Sequence, residues 1–248
     1  MDQFTRTEQL LGIKALAKIK KSKIAVFGLG AVGSFAVEAL ARTGIGAFSL
    51  IDFDEIDTSN INRQIFALHS TIGKKKALIA EKRIKDINPE CIVEIHDSFV
   101  NEDSIKSLLT KDIDIVIDAI DGLNSKVNLI CRAKENNLKI ISSMGAAGKT
   151  NASMIKKSDL FKTSICPLAR FVRRRLRRRG IYENIPCVYS EEPIKNQNYC
   201  IQDNNTELKS KSEQNHGRPR SSLGTIPYVT GIFGLMIANI AIDIILDN

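Results

Sequence analysis

A glycine-rich turn that follows a short apolar run constrains the fold of this chain more than any other part of its sequence. Residues 23–33 read Lys-Ile-Ala-Val-Phe-Gly-Leu-Gly-Ala-Val-Gly, which predicts a buried strand that leads through a tight turn into a helix. Gly28 permits the turn, Gly30 lets the backbone approach a phosphate, and Gly33 lets the helix pack on the strand. Backbone amides at the amino end of that helix, where its dipole is positive, can hold an anion. The segment therefore predicts a nucleotide-binding turn.

The residues around the next predicted strand indicate which nucleotide the turn binds. Asp52 ends that strand 24 residues after Gly28, close to the usual spacing of about 20 for an acid that binds ribose hydroxyls. Residues 59–64 follow, with the sequence Ser-Asn-Ile-Asn-Arg-Gln. A hydride-transfer site has no need of Asn, Arg and Gln beside the phosphates, whereas a site that splits ATP does. The pattern favours ATP over a nicotinamide cofactor, and it counts against a dinucleotide-binding regulator that does no chemistry.

Predicted strands and helices alternate along most of the chain. This alternation predicts an α/β fold, with a Rossmann-like, doubly wound, mostly parallel sheet and a C-terminal extension. The predicted strands are 24–28, 47–52, 92–96, 113–119 and 139–143, with a further one at 150–155. The predicted helices are 32–43, 74–87, 103–109, 126–136 and 167–179. We expect one nucleotide-binding domain over 1–248, with a helical arm at 1–22, a basic helix and mobile crossover at 156–222, and an apolar helix at 223–248.

The apolar C-terminal segment allows two interpretations. Residues 226–246 are long enough to span a bilayer, but Pro227, Asn239 and Asp243 interrupt them. A buried helix is equally apolar. The buried helix is favoured, and membrane contact is the alternative.

Charge and cysteine content limit the partners and the compartment. The 248 residues carry a formal charge of +8, which favours an anionic partner. The five cysteines form no C-x-x-C pair, so no zinc is expected. Their odd number, and the lack of an apolar signal core in residues 1–6, predict a cytoplasmic protein.

An ATP-splitting site needs a ribose acid, cations on the phosphates and a carboxylate for a metal ion. Asp52 can supply the first, and Arg63 with one lysine of residues 74–76 can supply the second. Asp121 lies just after the fourth predicted strand, where ligands of open α/β sheets collect, so it can hold Mg²⁺. Two alternatives stay open. The lysine run can be a solvated helix face, and Asp118 can simply cap a turn.

The order of these motifs carries a family resemblance. G-x-G-x-x-G, D-x-D, S-N-x-x-R-Q, G-x-x-K and D-x-x-D follow one another as in the ubiquitin-activating-enzyme-like adenylyltransferases. Arg6 matches an arginine that this family passes across a dimer interface into the partner's ATP site, so a homodimer is implied. The resemblance implies nucleotide-binding roles for Gly28, Gly30, Gly33, Asp52, Asp54, Asn60 and Gln64, catalytic roles for Arg63, Lys76 and Asp121, and Asp121 as the Mg²⁺ ligand.

Further segments resemble one branch of that family, the tRNA threonylcarbamoyladenosine dehydratases. These enzymes use ATP to close a ring in a modified adenosine beside the tRNA anticodon, by way of an acyl-adenylate. The alternative is an activator of ubiquitin-like sulfur-carrier proteins, but such activators commonly carry the paired zinc cysteines that this chain lacks. The segments that carry the resemblance are 38–46, 61–65, 87–91, 116–121 and 186–190.

A basic helix is predicted between Pro167 and Gly180, and seven of the residues from 170 to 179 are arginines. Such a run is usually a solvated face, but arginine also binds phosphate well. In a chain that resembles a tRNA-modifying enzyme, contact with tRNA is the favoured interpretation. The predicted tRNA-binding residues are Arg173, Arg174, Arg175, Arg177 and Arg178.

Two cysteines lie where sulfur-handling relatives keep a reactive thiol. These are Cys187 and Cys200. The cyclisation needs no enzyme nucleophile, and a small buried hydrophobe is the commoner role for cysteine. Cys187 is therefore only a secondary candidate.

Overall fold

The regular elements were assigned in a computed structural model, which describes residues 2–194 and 223–247. Residues 195–222 of the predicted basic helix and mobile crossover, which include Cys200, lie outside these residues. The strands are β1, Lys23–Phe27; β2, Ala47–Ile51; β3, Ile92–His96; β4, Ile115–Asp118; β5, Lys139–Ser143; β6, Ile155–Asp159; and β7, Pro186–Ser190. The helices are α1, Thr5–Leu11; α2, Ile13–Lys21; α3, Gly33–Thr43; α4, Lys76–Ile87; α5, Glu102–Leu108; α6, Leu123–Glu135; α7, Pro167–Arg177; and α8, Pro227–Leu246.

The strands form one sheet in the order β3-β2-β1-β4-β5-β7-β6. Neighbouring strands are parallel, except that β6 runs antiparallel to β7 at one edge. The chain builds outward from β1 to β3, then returns to place β4 on the other side of β1. This reversal opens a crevice at the carboxyl ends of β1 and β4, where ligands of such sheets bind.

Helices cover both faces of the sheet and divide the core into two clusters. One cluster joins α3, α4 and α8 to the sheet through residues such as Val37, Ile84 and Phe233. The other joins α5, α6 and α7 through residues such as Ile105 and Ile130. The central strands β1 and β4 are buried on both sides, as expected for a parallel sheet between two helical layers. The predicted doubly wound α/β fold is confirmed.

Beyond β5 the predicted helices at 167–179 and in the apolar C-terminal segment are present as α7 and α8, but the predicted strand is wrong. Residues 150–155 are not a strand: a short 3-10 helix occupies Ala152–Met154, and β6 begins only at Ile155. The Asn151 side chain accepts a hydrogen bond from the Ser153 amide at 3.0 Å, so a local turn wins over extended backbone. Strand β7 was not predicted from the sequence. It lies between β5 and β6 in the sheet, and both partners are distant from it along the chain.

The C-terminal helix α8 packs on α3 through Gly231 and Gly234. A Cβ placed on Gly234 would lie 2.5 Å from the Val32 carbonyl oxygen, so only glycine allows this approach. Lys157 on β6 donates to Asn239 at 3.1 Å and to Asp243 at 3.0 Å, which gives both polar side chains a partner. Among the described residues α8 is the one helix long and apolar enough to cross a membrane, and 56% of its most apolar window is buried in the protein.

Candidate active site

The glycine-rich turn after β1 lies at the carboxyl end of the central strands. Gly28 has a φ of +93°, and a Cβ placed there would lie 2.8 Å from the Ala119 carbonyl oxygen. A Cβ on Gly33 would lie 1.9 Å from the Gly28 oxygen. Both glycines are therefore required by the fold itself. Gly30 differs, because the nearest atom to a Cβ there is Gln64 Nε2 at 3.9 Å. The protein leaves space at Gly30 into which a ligand can approach the backbone.

Asp52 links the glycine-rich turn to the end of β2. Its carboxylate accepts hydrogen bonds from the Leu29 amide at 2.6 Å and from the Asp54 amide at 2.9 Å. The side chain is 8% exposed. Burial raises the pKa of Asp52 above its ordinary value, Lys76 opposes that rise, and Asp54 adds to it. The carboxylate is thus fixed beside the turn, where the prediction places the ribose hydroxyls.

The raised pKa of Asp52 predicts a stability that depends on pH. Because the folded-state pKa lies above the ordinary value of 3.8, the folded protein binds more protons just above that pH, and stability falls as the pH rises through this window. Urea unfolding of the protein and of its Asp52→Asn variant, compared from about pH 4 upward, should show the parent losing stability relative to the variant. A difference that stays constant or grows with pH would contradict the assignment.

The lysine run before α4 divides into different environments. Lys74 is exposed and Lys75 half-buried, and Lys75 donates to the Phe53 carbonyl oxygen at 3.0 Å. Lys76 is 5% exposed, and its Nζ lies 2.7 Å from Asp54 Oδ2. The solvated-face interpretation therefore fits Lys74, whereas Lys76 is a buried ammonium held next to the Asp52 loop. A cation fixed in this way needs little reorganisation to meet a phosphate.

The segment from Asn60 to Gln64 forms the next wall of the site. A short 3-10 helix, Thr58–Asn60, begins it, and the Asn60 Oδ1 accepts from the Asp57 amide at 3.2 Å. The half-buried Arg63 donates from Nη1 to the Ser59 carbonyl oxygen at 2.7 Å and to Asn62 Oδ1 at 2.9 Å. Gln64 is buried and faces Gly30. Asn60 is thus part of a local cap, while the Arg63 guanidinium is held on this wall by two hydrogen bonds within the segment.

A buried ion pair at the carboxyl end of β4 was not predicted as part of the site. Asp118 Oδ2 lies 2.7 Å from Lys126 Nζ, and both side chains are fully buried. Lys126 also donates to the Ser143 carbonyl oxygen at 2.9 Å, and the Ser142 hydroxyl donates to Asp118. The Ile120 amide donates to Asp118 Oδ1 at 3.2 Å. The capping interpretation of Asp118 is therefore incomplete, because this carboxylate also ties β4, β5 and α6 together. The sequence feature that could have indicated this ion pair is the lysine eight residues after Asp118.

Asp121 occupies the loop that this ion pair supports. It is exposed and follows β4 by three residues, at the edge where the glycine-rich turn also lies. Within residues 2–194 and 223–247, no three His, Cys, Asp or Glu side chains come together as a metal site. Mg²⁺ is usually bound by one or two carboxylates together with substrate phosphates. The carboxylate of Asp121 fits that mode of binding.

The basic helix α7 presents two groups of arginines. Arg173 donates from Nη1 to the Thr163 carbonyl oxygen at 3.0 Å, and Arg175 donates to Asn124 Oδ1 on α6. These two predicted tRNA-binding residues thus have partners within the protein, a role that the sequence did not show. Arg179 is exposed but also donates to Asn128 Oδ1 on α6 at 2.8 Å. The other exposed arginines of this region are Arg170, Arg174, Arg177 and Arg178.

The cysteines of the described residues are buried free thiols: Cys91, Cys131, Cys166 and Cys187. Burial raises the pKa of Cys187 to about 12. The thiolate, which is the reactive form, is therefore scarce at neutral pH. This environment is typical of a packing residue and disfavours a role of Cys187 in sulfur chemistry.

Comparison with known proteins agrees with this geometry. The sequence model of the ThiF family matches residues 4–248. The chain is 36% identical over 249 residues to the tRNA threonylcarbamoyladenosine dehydratase of Bacillus subtilis, covering 100% of this chain and 96% of that protein. It is 41% identical over 199 residues to the Escherichia coli protein of the same name, covering 77% of this chain and 74% of that one.

A solved structure shows the same architecture. The crystal structure of E. coli tRNA N6-threonylcarbamoyladenosine dehydratase in complex with ATP aligns with a TM-score of 0.86 and 34% identity, covering 99% of this chain and 94% of that chain. The family resemblance inferred from the motifs is thereby confirmed, and this chain belongs to the ThiF family.

Proposed function

We propose that this protein is an ATP-dependent dehydratase that cyclises threonylcarbamoyladenosine in tRNA. Its relatives of that name match it along most or all of the chain. One structural observation carries the proposal. At a single edge of the sheet, a buried carboxylate, Asp52, and a buried cation, Lys76, lie beside the open glycine turn, with Arg63 on the adjoining wall. These are the parts that a site for splitting a nucleoside triphosphate requires.

The proposed reaction has two steps. The threonyl carboxylate of the substrate attacks the α-phosphorus of ATP, so an oxygen–phosphorus bond forms, the bond to the bridging oxygen breaks, and pyrophosphate leaves. An internal nitrogen or oxygen of the same side chain then attacks the acyl carbon, loses its proton and displaces AMP. The AMP carries away the carboxylate oxygen, so the net change is the loss of water. The second nucleophile is tethered to the first product, which makes its attack fast without an enzyme nucleophile.

The protein's part in this scheme is to orient and to balance charge. Asp52 is placed to accept hydrogen bonds from the ribose hydroxyls, and Gly30 leaves the backbone open to a phosphate. Lys76 and Arg63 face the negative charge that grows as pyrophosphate departs. Asp121 would hold Mg²⁺, and the ion, when bound, would offset part of the same charge.

A homodimer is also proposed, from the surface of the N-terminal arm. Leu10 is 82% exposed and Ile13 is 70% exposed, on either side of Gly12, where α1 meets α2. Exposed apolar side chains that lie close together commonly mark a surface that another protein chain covers. Arg6 is exposed on α1 of the same arm, in a position to reach a second subunit. We further propose a cytoplasmic location, since free buried thiols suit a reducing compartment.

Activation of a ubiquitin-like sulfur carrier is not favoured. The sequence has no C-x-x-C pair, and the exposed arginines of α7 suit a nucleic acid better than a carrier protein. An ATP–pyrophosphate exchange assay distinguishes the two functions. Substrate tRNA should stimulate exchange by a dehydratase, and a carrier protein with a Gly-Gly tail should stimulate exchange by a sulfur-carrier activator.

The proposed function predicts a specific product. Incubation of the protein with ATP and tRNA that carries threonylcarbamoyladenosine should yield a modified nucleoside that is lighter by one water, detected by mass spectrometry of the hydrolysed tRNA. Omission of ATP should leave the nucleoside unchanged, because the carboxylate then has no leaving group. An unchanged nucleoside in the complete reaction, with exchange stimulated by a carrier protein instead, would refute the proposal.

A further inference from the structure

An exposed aromatic ring on the outer side of α7 has two arginine side chains close to it. The guanidinium carbon of Arg170 is 5.3 Å from the centroid of the Phe171 ring, and that of Arg174 is 5.2 Å from it. Phe171 is 36% exposed, and both arginines are exposed. Cation–π attraction holds guanidinium groups close to such a ring. The three side chains therefore form one surface, the Phe171 platform, made of Arg170, Phe171 and Arg174.

The opposite side of α7 anchors this platform to the protein. Ala169, Val172 and Leu176 are fully buried against the core. Arg173 donates hydrogen bonds to Thr163, so the helix is also tied to the segment before it. Because these contacts fix the rotation of the helix about its axis, the platform has a defined direction.

The partners of α7 on α6 show which way the platform faces. Arg175 donates to Asn124, and Arg179 donates to Asn128 at 2.8 Å. A step of four residues toward the carboxyl end of α7 corresponds to a step of four residues toward the carboxyl end of α6. The two helices therefore run parallel. Phe171 lies four residues, about 6 Å along the axis, before Arg175 on nearly the same side of α7. It therefore extends beyond the amino end of α6, toward the loop that carries Asp121.

A second contact places the amino end of α7 at the same edge of the sheet. A Cβ built on Gly145, two residues after β5, would lie 3.8 Å from Cys166 Sγ, and Cys166 directly precedes α7. The carboxyl end of β5 and the start of α7 are therefore adjacent. The helix that carries the Phe171 platform therefore begins at the edge of the sheet where the nucleotide is proposed to bind.

The chemistry of the platform matches unpaired RNA. Bases in loops stack on aromatic rings and on guanidinium planes, whereas paired bases do not offer their faces. Arginine also binds phosphate oxygens in a forked geometry. We propose that Phe171 stacks an unpaired base of the anticodon loop next to the modified adenosine, while Arg170 and Arg174 bind the flanking phosphates. This inference rests on the proposed function, which supplies tRNA as the substrate.

Binding of a labelled anticodon stem-loop, followed by fluorescence anisotropy, tests the stacking. Phe171→Leu keeps an apolar side chain but removes the ring, and it should weaken binding roughly 5- to 100-fold. Phe171→Trp should retain the affinity of the parent. The slope of log affinity against log salt should not change in Phe171→Leu, because no phosphate contact is lost. In Arg174→Gln the slope should fall by about 0.7 to 1.

The controls separate stacking from general damage. A blunt RNA duplex with the same number of phosphates should bind Phe171→Leu and the parent equally. Tyr182→Leu removes another exposed aromatic ring, beyond the end of α7, and should leave stem-loop affinity unchanged. Thermal unfolding of each variant verifies that it folds. Equal affinity of Phe171→Leu and the parent for the stem-loop, or an equal loss on the duplex, would overturn the inference.

Two further outcomes identify the source of a failure. If a poly-glutamate peptide displaces the stem-loop from the parent but not from Phe171→Leu, the platform binds acidic protein instead of RNA, and the inference fails. If the parent dehydrates the tRNA and Phe171→Leu binds it equally well, only this inference fails. If the parent neither binds nor modifies tRNA, the proposed function fails with it.

Discussion

Replacement of Arg63 with alanine is expected to slow pyrophosphate release by about 10²- to 10³-fold, the usual effect of removing one group that stabilises transition-state charge. The guanidinium is half-buried, and two hydrogen bonds, to Ser59 and Asn62, hold it at the wall of the crevice. Its charge is thus already oriented when the triphosphate arrives. Release of pyrophosphate from ATP in the presence of substrate tRNA, followed by a coupled assay, measures the effect.

Two comparisons make the Arg63 result interpretable. Arg63→Lys retains the charge but not the fork of donors, so it should recover only part of the rate. Arg42→Ala is the matched control, because Arg42 pairs with Glu38 near the end of α3, at the opposite end of that helix from the glycine turn. Arg42→Ala should retain the parent rate. Turnover of Arg63→Ala that equals the rate of the parent would remove Arg63 from the proposed machinery.

Replacement of Lys126 with methionine is expected to lower the free energy of unfolding by about 3–5 kcal/mol. The substitution leaves the fully buried carboxylate of Asp118 without its cation. It also removes the hydrogen bond from Lys126 to the Ser143 carbonyl oxygen. Urea unfolding at neutral pH, with circular dichroism as the signal, measures the change.

A double variant tests whether the cost comes from the stranded charge. Lys126→Met combined with Asp118→Asn removes both charges, and it should be less destabilised than the sum of the single variants predicts. Arg132→Ala breaks the exposed pair with Glu135 and should cost at most about 1 kcal/mol. A cost for Lys126→Met as small as that of Arg132→Ala, or strict additivity in the double variant, would contradict the account.

Local patterns predicted the nucleotide-binding half well. Two strands, Ile92–His96 and Lys139–Ser143, lie where the sequence pattern predicted them. Strand β1 begins and ends one residue earlier than predicted, and β2 ends one residue earlier. The glycine spacing located the turn, because the positive φ of Gly28 and the approach of Gly33 to the Gly28 carbonyl oxygen are demands of the turn itself. Parallel strands with buried faces have long apolar runs, and these are visible without knowledge of the fold.

The sequence was a poorer guide to the C-terminal half and to the arginines. Strand β7 exists because it pairs with β5 and β6, and no local pattern announces a pairing across that distance. Arginines of one run also proved different from one another. Arg173 and Arg175 bond within the protein, whereas Arg174 and Arg178 are exposed. Such differences depend on the rotation of α7 against α6, which is set by packing.

The amino-acid sequence by itself determined the chemistry at the edge of the sheet. It supplied a turn that leaves the backbone open, an acid at the end of β2, and cations at fixed spacing after it. Only the tertiary structure decided which charges are buried and paired. Lys76 was separated from its neighbouring lysines, and Lys126 was joined to Asp118 across two elements. The reason is physical: residue type fixes what a group can bind, but its energy in the folded protein depends on the solvent it loses and the partners it gains.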